Sequence, residues 1–220
     1  MTAIPATRPI GTIVNSASHI DYWCQVYGPH EIADPPNPAE YPFGQFVAID
    51  LPPPRTGGVP VGERLIGVIY DTVLMNPAFG AMGPRLSTSD EQRAVFSPDY
   101  LTERATLVKI LALGVTSLDG TRVIHGVPAL APQLGTLVTP LDDAGVCAFH
   151  VFADGGIPGG AQPYLHMGYL PQLIGERNGL LQHAALAVLE RLRHLMPAHE
   201  RMLSIIGRNL AWKLSVETAG

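Results

Sequence analysis

The stretch His125–Pro140, HGVPALAPQLGTLVTP, narrows what this chain can fold into more than any other. It joins two apolar runs, Thr106–Gly114 and Gly145–Phe152, so it must reverse the chain and rejoin a core. Gly126 is free to take a positive φ, while Pro128 and Pro132 fix φ and withhold backbone donors. Leu134 and Leu137–Val138 then return to apolar surroundings as a short strand. A turn of this kind, late in a series of short strands, closes a small barrel and removes its exposed edge. The chain before it supplies the staves, and the chain after it is an appendage.

The staves are read from period-two runs between segments that cannot pair. Ile10–Val14 is the first. Ile20–Tyr27 alternates, with Tyr22, Cys24 and Val26 on one face and Trp23, Gln25 and Tyr27 on the other. Phe43–Leu51 is apolar on both faces, as a closed barrel requires. Arg64–Met75 is the longest run, and Gly67 within it marks a bulge or sharp bend. Ala105–Gly114 comes next, and Gly145–Phe152 is the last strand. The proline-rich segments 30–42 and 52–58 are loops. Residues 84–103 read as a helical excursion, with Asp90 and Glu91 at one helix start and Pro98 at another. Asp142-Asp143, weighed as a carboxylate pair for acid–base chemistry, reads instead as a solvated hairpin turn ending at Gly145.

The glycine-rich stretch 154–163 is the clearest domain boundary, dividing a barrel over 1–153 from a helical region over 164–220. Beyond it the apolar period changes. Leu181, Ala184, Val188, Leu192 and Leu195 define a helix over Leu180–Met196, which Pro197 stops. Leu203, Ile206, Leu210 and Leu214 define a second over Ala198–Val216, giving an αα-hairpin. Arg201 and Arg208 are seven apart and share a face. Trp212 is either tail core or an exposed anchor. Tyr164, His166 and Tyr169 cluster just after the boundary and either line a pocket or pack the tail onto the barrel. The expected fold is mostly β with α: a small closed antiparallel barrel with a helical insertion, followed by the helix pair.

Charge is unevenly spread. Residues 1–150 carry eight Lys/Arg against fourteen Asp/Glu, and residues 151–220 carry six against five. The net charge of −5 argues against broad nucleic-acid binding. The N-terminus has no apolar signal region and no window is long enough to cross a membrane, so a cytoplasmic location is expected. Cys24 and Cys147 sit in separate apolar runs and read as free thiols. GxxxxGK[ST], GxGxxG after a strand, HExxH, CxxC and GxSxG are all absent. His194 and His199 straddle Pro197, and His150 and His166 are separated by the glycine-rich stretch, so no metal site declares itself. His125, beside Gly126, reads as a turn histidine bonded to a backbone carbonyl.

The runs IGTIV, FGQFVAID, RLIGVIYD, LVKILALG and the HGVPALAPQLGTLV closure together resemble the HAS-barrel, shared by HerA-type DNA translocases and rotary ATP synthase subunits. The resemblance covers about residues 8–170. It rests on Phe46–Asp50, Ile66–Val68, Gly126, Val127, Pro132, Gly135 and Val138. In HerA-type proteins a P-loop ATPase follows the barrel. Here His166–Leu170 resembles the short strand leading to that domain, and two helices stand in its place. The resemblance therefore implies the docking module without its motor.

The expected function is a non-catalytic adaptor or assembly protein, without cofactor or metal. It binds a HerA-like ATPase, a nuclease or a copy of itself. Arg201, Arg208, Trp212, Tyr164 and Tyr169 are the candidate partner contacts. One alternative is a nucleic-acid-binding barrel using Arg177, Arg191, Arg193, Arg201 and Arg208. Another is a small cofactor-binding enzyme, since FGQFVAI also resembles ferredoxin-reductase-like flavoproteins, whose R-x-Y-[ST] element is missing.

Overall fold

The computed structural model describes residues 8–29, 31–52, 62–76, 105–152, 164–175 and 179–217. Seven strands form the main sheet: β1 (Gly11–Ser16), β2 (Asp21–Val26), β3 (Phe46–Asp50), β4 (Glu63–Met75), β5 (Ala105–Ser117), β6 (Val123–His125) and β7 (Leu137–Pro140). Their order is β2-β1-β7-β3-β4-β5-β6, and β2 also pairs with β5. Six antiparallel strands thus close into a barrel, and β6 is added along one edge of β5.

β7 is the closing stave. It pairs with β1 through Gly11↔Val138 and Thr12↔Leu137, and with β3 through Ile49↔Val138 and Ala48↔Thr139. Gly126 takes φ +116 in the turn before it. One expectation is corrected. Only Val138 reaches the core, while Leu134 is 75% and Leu137 50% exposed. Strand alternation sends every second side chain outward, so Leu137 cannot follow Val138 inside.

Gly67 lies where the register of β4 on β5 slips, between Ile66 and Gly67. A Cβ there would come within 2.5 Å of Ile110 Cγ2, so the tight bend excludes any side chain.

The barrel wall has two cores, one on each side. Inward point Ile13, Tyr22, Cys24, Val47, Ile49, Leu65, Ile69, Val108, Ile110 and Val138. Outward from β3, β4 and β5 point Phe46, Ala48, Ile66, Val68, Tyr70, Leu111 and Leu113, which pack against helices. β3 is therefore apolar on both faces because a helical layer covers its outside, not only because the barrel is closed.

Among the described residues there are four α-helices: α1 (Asp143–His150), α2 (Leu170–Gly175), α3 (Gly179–Leu195) and α4 (Glu200–Glu217). A short ladder of β8 (Val151–Phe152) and β9 (Tyr164–Leu165) sits between α1 and α2. Pro197 opens a 3-10 turn, Pro197–His199, and α3 and α4 form the expected αα-hairpin. Leu181, Ala184, Val188, Leu192, Leu203 and Leu210 are all buried, and they share one core with the barrel wall. At about 1.5–3 kcal/mol for each buried leucine or valine, this face holds the pair firmly in place. The helices are a covering layer rather than an appendage.

The expected strand Gly145–Phe152 is corrected to a helix followed by the two-residue β8. Asp142 is not in a solvated hairpin turn. Its side chain caps α1, with Oδ1 accepting from Gly145 N–H at 2.8 Å. Val146, Phe149 and His150 then fall on one buried face at helical spacing. Likewise, the short strand expected at His166–Leu170 is Tyr164–Leu165, and the chain turns at Gly168 into α2. The helical excursion over 84–103, the stretch 154–163 and Arg177 lie outside the described residues. Among the described residues no helix is long and apolar enough to cross a membrane.

Candidate functional site

Two places gather the chemically distinctive side chains: the seam between barrel and helices, and the outer face of α4.

The seam is built by α1, β6 and the β8–β9 ladder. His166 N–H donates to His150 O at 2.9 Å, so the ladder joins two histidines that the glycine-rich stretch separates in sequence. β6 adds His125, whose ring stacks on His166 with centroids 4.6 Å apart. Phe149, Phe152 and Tyr169 complete the cluster around His125.

Hydrogen bonds fix the tautomers. A carbonyl oxygen can only accept, so His150 Nδ1 carries the proton and donates to Val146 O at 2.7 Å. His150 Nε2 then accepts from the Tyr169 hydroxyl at 2.6 Å. His125 has the opposite tautomer. Its Nε2–H donates to Phe149 O at 2.8 Å, as the sequence suggested, and its Nδ1 accepts from Gly168 N–H at 3.1 Å.

His125 is satisfied only when neutral, because its Nδ1 faces the Gly168 N–H donor. Burial lowers His150 to about 4; the Val146 carbonyl opposes this, and His125 and His166 add to it. Burial likewise lowers His125 to about 4, opposed by the Phe149 carbonyl and aided by His166. Burial pushes the Tyr169 hydroxyl up. These groups are held in one protonation state across the neutral range, which suits a joint better than a proton shuttle. Among the described residues no group of three or more His, Cys, Asp or Glu is placed to hold a metal ion. Both cysteines are free, and burial raises Cys24 to about 12.

The seam corrects one candidate contact. Tyr169 is fully buried, with its hydroxyl engaged by His150, and cannot touch a partner. Tyr164 is 46% exposed on β9 beside Phe152.

The other three candidates share α4. Trp212 is 70% exposed, so it is not tail core. Arg201 and Arg208 are exposed and make no ion pair among the described residues. The arginines of the hairpin do not form one row. Arg191 is held by Gln45 Oε1 at 2.9 Å and Asp143 Oδ1 at 3.0 Å, over the Phe46 ring. Arg193 binds Glu190 at 2.7 Å.

Sequence reasoning missed three neighbours of Trp212. Met202, Ile205 and Val216 are also exposed. With Trp212 they make a second apolar stripe, beside the one used by Leu203, Ile206, Leu210 and Leu214. The signal was present as apolar residues at 202, 205, 212 and 216, spaced by three, seven and four, once the first stripe had been set aside.

A comparison with curated proteins finds no match. The profile of a family described as a domain of unknown function (DUF8166) matches residues 3–219. Barrel, seam and helix pair all fall within that match, and the chain belongs to the DUF8166 family.

Proposed function

We propose that the protein is an adaptor that uses a barrel to hold one helix, α4, ready for a protein partner. One observation carries this reading. α4 is apolar on two faces, and only one of them is spent on the protein's own core. Met202, Ile205, Trp212 and Val216 form an uncovered row, and Trp and Arg are the residue types that dominate binding energy at interfaces. Leu203 and Leu210 anchor the opposite side, so α4 is ordered before binding and loses little freedom on docking.

The likeness of the barrel strands to the HAS-barrel supports a HerA-like ATPase or a nuclease as partner, with a second copy of the chain as the alternative. Co-purification tests this with a tagged chain and its Trp212→Ala variant, with light scattering on the eluted species. The wild type should retrieve an ATPase or nuclease, or elute as an oligomer, and the variant should lose at least ten-fold of either. Retrieval that Trp212→Ala leaves unchanged, or an isolated monomer in both cases, overturns the reading.

A further inference from the structure

The exposed stripe on α4 has a heptad register. Met202, Asn209 and Val216 are seven apart and take the a positions, and Ile205 and Trp212 are seven apart and take the d positions. Arg201 and Arg208 each precede an a residue, which places both at g. The row is exposed throughout, as are both arginines. On a helix rising 1.5 Å per residue, the two guanidinium-bearing positions stand about 10 Å apart along one flank of the seam.

We propose that the occupant of this face is an acidic amphipathic helix, which packs along α4 as the second strand of a short coiled coil. The inference rests on the adaptor reading and adds the partner's chemistry to it. The charge on the flank decides between occupants. Flanking positions select partners by opposite charge, and here the charged g residues, Arg201 and Arg208, have no counter-ion among the described residues, the third g position being Ser215. A second copy is disfavoured on the same ground. Arg208 lies beside Asn209, the middle a residue of the row. Two antiparallel copies centred there would bring the two Arg208 side chains together, and two parallel copies would set Arg208 against Lys213, which follows d at e. A helix with Glu or Asp seven apart meets Arg201 and Arg208 at once through charge-assisted hydrogen bonds.

Asn209 sharpens the assignment. It is exposed in the middle of an otherwise apolar row, and a single asparagine at an a position fixes register and strand number at some loss of affinity. The partner therefore carries a polar residue opposite it. The seam covers only two heptads, too short for two unfolded peptides to pair in water. It suffices here because α4 is already folded against α3.

The test uses the full chain and three synthetic three-heptad peptides with Leu at a and d, one Asn opposite Asn209, and Glu, Gln or Lys at e and g. Binding is read by calorimetry and by the blue shift of Trp212 emission against a Trp212→Phe control. The Glu peptide should bind at micromolar concentration, the Gln peptide at least ten-fold more weakly, and the Lys peptide not at all. The variant Arg201→Glu/Arg208→Glu should reverse the order of the Glu and Lys peptides. Equal binding of the Glu and Gln peptides removes the acidic partner but leaves the docking face. No binding by any of the three overturns the coiled-coil seam. Binding of phosphatidylserine vesicles in preference to every peptide, or a concentration-dependent dimer that Trp212→Ala abolishes, overturns the proposal in favour of a membrane or a second copy.

Discussion

The barrel interior and the histidine seam hold the same wall from opposite sides, and they do so by different physics. The interior is aliphatic, apart from Tyr22 and Cys24, and is assembled from strand residues two apart. Its cohesion is proportional to area removed from water and needs no particular protonation state. The seam is assembled from His125, Phe149, His150, Phe152, His166 and Tyr169, drawn from several elements. Its hydrogen bonds require His125 to be neutral and put His125 and His150 in opposite tautomers. One joint is insensitive to pH and sensitive to volume. The other is sensitive to both.

The largest expected effect falls on the interior. Ile49 is fully buried between β7 and β4. Ile49→Ala should cost about 2–5 kcal/mol, from lost transfer energy and the cavity left behind. Chemical denaturation should give the same loss at pH 7.5 and pH 5. A loss that changes markedly between them would show that the two cores are not independent.

Acid should act on the seam. His150 has a folded value of about 4, below the ordinary value near 6.5. Above pH 6.5 the ring is neutral folded or unfolded, and its full contribution is present. As pH falls from 6.5 toward 4, the unfolded chain takes up a proton that the folded chain refuses, and stability is lost. The loss reaches about 3 kcal/mol for His150 by pH 4. His125, partly exposed and lowered for the same reason, adds a smaller amount in the same window. A charged His125 would also set its Nδ1–H against Gly168 N–H. Denaturation midpoints between pH 7.5 and 4 check this, and His150→Leu should flatten the curve.

The contrast explains what could be read from sequence. Tyr22, Cys24 and Val26 alternate with half-exposed residues, and that pattern predicts their strand and its inward face. The leucines of α3 and α4 do the same at helical period. α1 was hidden because VCAFHVF is apolar at nearly every position, which gives a strand and a helix equal claim. Asp142, the capping residue that decides the matter, also suits a turn. The seam was less legible still. Nothing in the spacing of His125, His150 and His166 predicts that a two-residue ladder unites them. The exposed stripe on α4 was present in the sequence, but partial exposure of four apolar residues is decided by packing, and only the structure supplies that.

The smallest of the expected effects isolates a single bond. Tyr169→Phe leaves the ring stacked near Phe149 and removes only the hydroxyl that donates to His150 Nε2. A buried acceptor without a donor costs about 1–3 kcal/mol. The donor also favours the neutral ring, so its removal should raise the pH at which the folded His150 protonates, and the acid loss, which still begins near pH 6.5, should level off sooner and be smaller in total. A double-mutant cycle with His150→Leu separates the bond from the ring. If the hydroxyl acts through His150, Tyr169→Phe should cost about 1 kcal/mol less in the leucine background than in the wild type. An equal cost in both backgrounds would mean that the hydroxyl does not act through His150. The pH sensitivity of His150 would then rest on its burial and on the neighbouring His125 and His166, not on the hydroxyl.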